Sequence, residues 1–326
     1  MWTFVIAAAL SLLFVAVVRH DALRRGLIDR PNDRSSHVVP TPRGGGLGLL
    51  LALGIALAIA SHGGWRAWHA LATALAVLLV AIVGWVDDHG GAPVRVRLVV
   101  HAVAAALLLP LVLDAPLPMA APVAAVWWIF WTVSAINVVN FVDGIDGIIG
   151  AQALVYGLFL WLAGQAGGPV SVGGLALAGA SLGFLVWNWN PAKIFMGDVG
   201  SGALGVVFVA LGAALVAEGR TGFVAAFAPL APIFLDAALT LGRRARRGER
   251  LSEAHRSHLY QRLANGPLGH ASVSAIFAAL SCVAAVAALQ WPGGGATLLA
   301  ALLAALGAAA VLLERVARPG DPTMLP

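Results

Sequence analysis

Asn137-Val-Val-Asn-Phe-Val-Asp-Gly-Ile-Asp-Gly147 is the stretch on which the reading of this chain turns. It closes one apolar run, 123–136, and opens another, 148–162. Asn137, Asn140, Asp143 and Asp146 recur at every third position, which in a helix keeps them roughly on one face. Gly144 and Gly147 loosen the backbone, so a break or tight turn is expected there. Carboxylates between two membrane-length apolar runs are costly unless they face water, a cation or a ligand.

The flanking runs belong to a pattern that fills the chain. Of 326 residues, 60% are hydrophobic and only 11% charged, and the mean hydropathy is +0.90. A soluble domain carries about 25% charged residues, so that class is excluded. The expected fold is all-α: a polytopic integral membrane protein of about eleven transmembrane helices, each needing roughly 17–25 apolar residues. The candidate spans are 2–18, 44–60, 70–86, 98–113, 123–139, 148–162, 172–187, 203–217, 223–241, 271–290 and 296–313. Positive charges follow the first run rather than precede it, so it reads as a span and not a signal peptide. The single cysteine, Cys282, leaves no intrachain disulfide. Neither an internal repeat nor a separate soluble domain is legible. One transmembrane domain over 1–326 is expected, with loops 19–43, 87–97, 140–147, 188–202 and 242–270 forming its active face.

Charge orients that domain. Eighteen of the 20 basic residues fall in one set of alternate loops, from Arg19, Arg34 and Arg43 through Arg97 and Lys193 to Arg243, Arg262 and Arg318. Arg66 and Arg220 alone fall in the other. The first set is therefore read as cytoplasmic, with the N-terminus outside and the C-terminus inside. The formal net charge of +5 fits that arrangement and does not suggest nucleic acid.

Several motifs share the basic side. Asp87 and Asp88 end the third span in Gly-Trp-Val-Asp-Asp-His-Gly-Gly; adjacent carboxylates repel, and a helix C-terminus disfavours them, so a functional role outweighs a solvated helix end. Asp198 lies in Phe195-Met-Gly-Asp-Val-Gly-Ser201, before an apolar run. Asp198 or Ser201 would serve as an ordinary N-cap, but bare glycine backbone at a helix start also accepts phosphate. Thr41-Pro-Arg-Gly-Gly-Gly46, with Arg43 and Gly45, reads as a helix entry or an anion loop. The segment 249–262 suits a short amphipathic helix with His255 and His258 at i, i+3 spacing. That pair is either a solvated basic face or an anion-binding one, and zinc lacks further ligands. Asp236, inside the ninth span, faces a cavity or pairs with Arg243 or Arg244. His62, His69, His89, His101 and His270 carry no spacing signal and read as interfacial or core residues. Together, carboxylates, bare-backbone loops and cations on one side describe a Mg²⁺–diphosphate site, with apolar helices for a lipid co-substrate.

With those residues placed, the chain resembles the polyprenyl-phosphate N-acetylhexosamine-1-phosphate transferases, glycosyltransferase family 4, over nearly its whole length. The matching motifs run in order: PTPRGGG from Pro40, VGWVDDHGG from Val83, NFVDGIDG from Asn140, WNWNPAKIFMGDVGS from Trp187 and HRSHLYQRL from His255. Their variants look most like the O-antigen-initiating branch. The resemblance implies transfer of a sugar 1-phosphate from a UDP-N-acetylhexosamine to undecaprenyl phosphate with release of UMP. This would be a step of cell-surface polysaccharide synthesis at the bacterial inner membrane. It implies Mg²⁺ or Mn²⁺ as cofactor and leaves room for a homodimer. It makes Asp87, Asp88 and Asp198 catalytic, with the Asp87–Asp88 pair assigned to the lipid phosphate and the metal and Asp198 a Mg²⁺ ligand. Asn140, Asp143, Asp146, His255, His258, Arg43 and Gly45 are then expected at the substrates. Two departures stand out: Gly91 replaces the third acid of the frequent Asp-Asp-x-x-Asp form, and the second histidine stands three positions on, not adjacent.

A phosphate monoester, with a second pKa of about 6, is already largely a dianion at neutral pH. Asp87 is therefore expected to position and Asp198 to coordinate. Alternatives are the peptidoglycan phospho-MurNAc-pentapeptide translocase within the family and, in another class, a secondary transporter. Transporter sites lie near the bilayer midplane, whereas the acids here gather at one surface. The CDP-alcohol phosphatidyltransferases are excluded because Ile145-Asp146 follows Gly144 where Ala-Arg is required.

Overall fold

The computed structural model describes residues 1–31, 36–37, 39–60, 67–115, 117–250, 255–266 and 268–317. Arg34, His62, Arg66, Arg318 and positions 251–254 of the expected amphipathic helix lie outside the described residues.

A bilayer core offers backbone groups no water, so each apolar run must satisfy its own hydrogen bonds as a helix. The order is α1 (Trp2–Arg25), β1 (Ile28–Asp29), β2 (Thr41–Pro42), α2 (Gly45–Ala60), α3 (Ala67–Gly90), α4 (Val94–Val112), α5 (Ala121–Val142), α6 (Ile148–Ala163) and α7 (Pro169–Asn188). There follow α8 (Asp198–Ala217), α9 (Phe223–Phe227), a 3-10 turn (Ala228–Leu230), α10 (Ala231–Arg246), α11 (Leu259–Ala264), α12 (Gly269–Gln290) and α13 (Gly295–Val316). Among the described residues, nine segments are long and apolar enough to cross a membrane, with α9 through α10 counting as one. The shorter apolar helices α2 and α6 occupy the other two expected runs. This is a multi-pass membrane protein. Among the described residues, the one departure from an all-helical fold is the antiparallel pairing of β1 with β2, Ile28 opposite Pro42 and Asp29 opposite Thr41, which closes the loop after α1.

Helix α8 is the axis of the bundle. In its most apolar stretch 94% of residues are buried, against 17% for α1 and α13 at the periphery. It packs against α2, α3, α4, α5, α6, α7 and α9. Between apolar helices in lipid, close approach of backbones supplies the attraction, and small residues permit it. Gly200 on α8 meets Gly46 on α2 so tightly that a Cβ at Gly200 would stand 2.6 Å from the Gly46 Cα. Polar pairs add register: Ser281 on α12 donates to Gln152 on α6 at 2.6 Å. The Gly46–Gly200 crossing fixes the N-terminus of α8 against the loop that carries Arg43.

Candidate active site

Three helix ends meet beside that crossing. Helix α3 ends in the aspartate pair. Helix α5 stops at Val142, and the chain bends to α6 through Gly147, whose φ of +79° suits glycine. Helix α8 starts at Asp198 after Gly197, at φ +76°. The ends surround a cavity of about 270 Å³ whose charged lining includes Asp88, Asp143, Asp146, Asp198, Arg43 and His270. The break at Gly144–Gly147 is where the sequence put it. The four-residue helical face is not: Asp143 and Asp146 lie beyond the end of α5, while Asn137 and Asn140 remain on it.

The two aspartates of α3 diverge. Asp88 is buried and turns to α8, where its carboxylate accepts the backbone N–H groups of Asp198 and Val199, each at 3.1 Å. It thus does for α8 what an N-cap side chain does, from another helix. Neither Asp198 nor Ser201 caps; Gly197 holds that position, and the Ser201 hydroxyl donates back to its carbonyl at 3.2 Å. The partial positive charge of the helix start favours the Asp88 carboxylate. Asp87 turns to α4 instead. It is ion-paired with Arg97 and accepts the Ala92 N–H at 2.5 Å, and it does not line the cavity.

Asp198 stands between these arrangements. Its Oδ1 accepts from Asn140 Nδ2 at 2.8 Å, and the same amide reaches Ser201 Oγ at 3.0 Å. Its Oδ2 lies 3.7 Å from Arg97 Nη1. Among the described residues, Asp143 has no comparable set of donors. Burial, and then the Asp198, Asp88 and Asp146 carboxylates around it, hold its carboxyl well above the usual carboxylate range. Asp146 shows the opposite balance. Burial pushes it up, but His270, the Ala192 N–H at 3.0 Å and Asn190 Nδ2 at 2.8 Å outweigh that and hold it below the usual range. Asp146 therefore ties the 190–192 turn and α12 to the cavity wall.

Arg43 lines the cavity, and its charge acts on Asp88. Gly45 does not line it, against expectation: its N–H donates to the Phe195 carbonyl at 2.9 Å, and a Cβ there would meet the Phe184 ring at 2.9 Å. Its lack of a side chain serves packing. The histidine segment also departs from expectation. Residues 255–258 are not helical, and α11 begins only at Leu259. His258 is buried; its Nδ1 lies 3.0 Å from Asp236 Oδ2, and Asp236 Oδ1 accepts the Leu259 N–H at 2.8 Å. The partner of Asp236 is thus the histidine loop, not Arg243 or Arg244. His255 stacks on His258 with ring centroids 5.1 Å apart. Burial, then Arg244 and His258, push His255 down to about 4, so it is neutral at pH 7. Neither imidazole lines the cavity.

Sequence reasoning missed several residues that are there. His270 bridges Asp146 and the Ser36 carbonyl, its Nδ1 3.2 Å from Asp146 and its Nε2 3.0 Å from Ser36. Asn188 accepts the Gly147 N–H at 3.0 Å. Gln261 lines the cavity, beside Tyr260, whose hydroxyl donates to the Phe141 carbonyl at 2.9 Å. Asn188 and Asn190 flank Trp189 in a motif already singled out, so they were within reach of the reading; His270 offered no signal.

Comparison with known proteins places this arrangement. A model of glycosyl transferase family 4 matches residues 70–216. The decaprenyl-phosphate N-acetylglucosaminephosphotransferase of Mycolicibacterium smegmatis is 30% identical over 311 residues, covering 83% of this chain and 76% of the relative. The chain belongs to glycosyl transferase family 4. Two further family relatives bracket it. A probable undecaprenyl-phosphate N-acetylglucosaminyl 1-phosphate transferase of Bacillus subtilis (strain 168) is 24% identical over 284 residues, 82% of this chain and 78% of the relative. A phospho-N-acetylmuramoyl-pentapeptide-transferase of Synechococcus sp. (strain WH7803) is 34% identical over 226 residues, 60% of this chain and 61% of the relative. The stretch matched by the family 4 model runs from α3 into the last turn of α8. It holds the aspartate pair Asp87–Asp88, the cavity acids Asp143, Asp146 and Asp198, and Asn140, and neither Arg43 nor the histidine segment.

Proposed function

We propose that this family 4 protein transfers an N-acetylhexosamine 1-phosphate from a UDP-sugar to undecaprenyl phosphate, giving the undecaprenyl-diphosphate-sugar and UMP. A phosphate oxygen of the lipid attacks the phosphorus that bears the sugar, and the bond from that phosphorus to the UMP oxygen breaks. The observation that carries this reading is the crowding of Asp88, Asp143, Asp146 and Asp198 around one cavity with Arg43. The names of the relatives supply the reaction class. The basic loops on the cavity side support a reading in which the cavity opens at the cytoplasmic face, which for this reaction is that of the bacterial inner membrane.

The crowding calls for a cation. Among the described residues, no three His, Cys, Asp or Glu side chains are disposed to hold a metal ion together. Mg²⁺ does not need such a group: it takes one or two carboxylates and completes its shell with water and substrate phosphate. Asp88 and Asp198 fit that role, and the elevated Asp143 carboxyl marks the negative field a cation would relieve. When bound, Mg²⁺ offsets the charge of the two approaching phosphates and of the departing UMP.

The protein's own groups do the rest. Asn140 fixes the Asp198 carboxylate. Asp88 locks the start of α8. Asp146 holds the cavity wall through Asn190, Ala192 and His270. Asp87 already accepts an N–H and a guanidinium, which suits positioning and not proton abstraction. His255, being neutral, adds no positive charge.

The N-acetylglucosamine 1-phosphate transferases named above cover more than four-fifths of this chain, which favours UDP-GlcNAc as donor over UDP-MurNAc-pentapeptide. The O-antigen branch rests on the motif variants alone. The test is UMP release by the purified protein with undecaprenyl phosphate, Mg²⁺ and a panel of UDP-GlcNAc, UDP-FucNAc, UDP-QuiNAc and UDP-MurNAc-pentapeptide. Release with a UDP-N-acetylhexosamine, abolished by EDTA, is expected. Release with the pentapeptide donor alone would move the protein to the peptidoglycan branch, and release with none would refute the assignment.

A further inference from the structure

As sequence, Arg97 is one basic residue among the eighteen that orient the chain. The fold gives it a singular position. It stands on the first turn of α4, ion-paired with Asp87, with its Nη1 3.7 Å from Asp198. Among the described residues, its ion pairs are with these two acids, so two carboxylates share one guanidinium. Asp87 is satisfied at both oxygens, Oδ1 by the Ala92 N–H and Oδ2 by Arg97. A guanidinium has five N–H donors in a planar fork that matches phosphate, and one carboxylate does not exhaust them.

Two spaces meet at Asp198. One is the large cavity, which Arg97 does not line. The other is a small one between α3, α4, α5 and α8, lined by Arg97, Asn137, Asn140 and Asp198 among others. The turn of α4 that carries Arg97 also carries Val94, Val96, Leu98 and Val99, all exposed apolar side chains, as expected of a surface that meets lipid. Arg97 itself is 28% exposed. An anionic lipid headgroup approaching from the bilayer would therefore meet Arg97 on one side of Asp198, while a nucleotide diphosphate occupies the other. The lipid phosphate would also compensate the guanidinium that Asp198 only partly engages.

We propose that Arg97 receives the phosphomonoester of the acceptor lipid, and that Asp87 acts through Arg97 as a positioning residue. The assignment rests on the phosphotransfer reading above. The test is steady-state kinetics on the full-length protein in lipid nanodiscs, varying undecaprenyl phosphate and UDP-GlcNAc separately. Arg97→Gln is expected to raise the KM for undecaprenyl phosphate about tenfold or more, the usual weight of a charge-assisted hydrogen bond, and to leave the KM for UDP-GlcNAc within about twofold. Arg97→Lys should recover part of the loss, because the charge returns without the fork. Asp87→Asn should raise the same KM, and the double variant should be little worse than Arg97→Gln alone. Retained thermal stabilisation by UDP-GlcNAc reports an intact fold; if Arg97→Gln fails that check, Arg97→Lys carries the same comparison. An unchanged acceptor KM, or an equal rise in the donor KM, overturns the inference and leaves the phosphotransfer reading standing. A wild-type protein that releases no UMP overturns both.

Discussion

A cluster of acids at the cavity and a single buried acid at the histidine segment are balanced in opposite ways. Around the cavity, Asp143 sits among Asp88, Asp146 and Asp198, and its carboxyl is driven up by burial and by those neighbours. At the histidine segment, Asp236 spends both oxygens on one loop, taking the Leu259 N–H and the His258 imidazole. The first group is crowded with like charge and stores an electrostatic cost. The second is satisfied internally and anchors α11 to α10. Unrelieved charge marks a place for a ligand, whereas relieved charge marks a joint in the structure.

The largest expected effect separates the two directly. Asp198→Asn should lower the rate of UMP release by about a hundredfold or more, the scale seen when a transition-state electrostatic contact is removed, with the unfolding midpoint nearly unchanged. Asp236→Ala should do the reverse. It strands His258 and the Leu259 N–H without their acceptor in a buried site, and leaving a buried donor unsatisfied costs about 1–3 kcal/mol, read as a lower thermal midpoint in detergent. Activity per folded molecule should fall less than tenfold. A loss of activity without loss of stability in Asp236→Ala would erase the distinction.

A smaller effect concerns pH. Because the Asp143 carboxyl is raised in the folded state, the stability tied to it is complete below its ordinary value of 3.8 and is lost as pH rises towards its folded value. In metal-free protein, stability should therefore decline from about pH 4 upward, and Asp143→Asn should flatten that decline. Thermal scans across pH in EDTA check it. The smallest effect belongs to His255. Its value is pushed down from 6.5 to about 4, so it costs stability only as pH falls through that interval. His255→Gln should leave the pH–rate profile above pH 7 unaltered.

The helices were legible because lipid leaves an apolar run no alternative to a helix: the eleven expected runs coincide with helical segments, of which nine among the described residues are long enough to cross a membrane. The cavity corner was legible for a related reason: acids and glycines interrupting such runs are too costly to be incidental. Partnerships across the chain were not legible. Asp88 caps a helix whose first residue lies 110 positions away, and nothing local to the Asp87-Asp88 pair says that its two members turn in different directions. His270 had no spacing signal, because its partner Asp146 lies in the bend between α5 and α6, far away in sequence. Gly45 shows another use of bare backbone. A glycine-rich helix entry resembles an anion loop, but here the backbone is bare because the Phe184 ring and the Phe195 carbonyl press against it. At the histidine pair the expected helix is absent: the i, i+3 spacing has meaning only on a helix, and α11 starts after both.

The central claim is that the cavity aspartates grip a divalent cation together with the nucleotide diphosphate. The direct measurement is electron–nuclear double resonance on Mn²⁺ added to the purified protein with and without UDP. A phosphorus coupling that appears only with UDP, and disappears in Asp198→Asn, is the predicted result. UDP that binds with undiminished affinity in EDTA, or Mn²⁺ that binds without sensing phosphorus, would contradict the account.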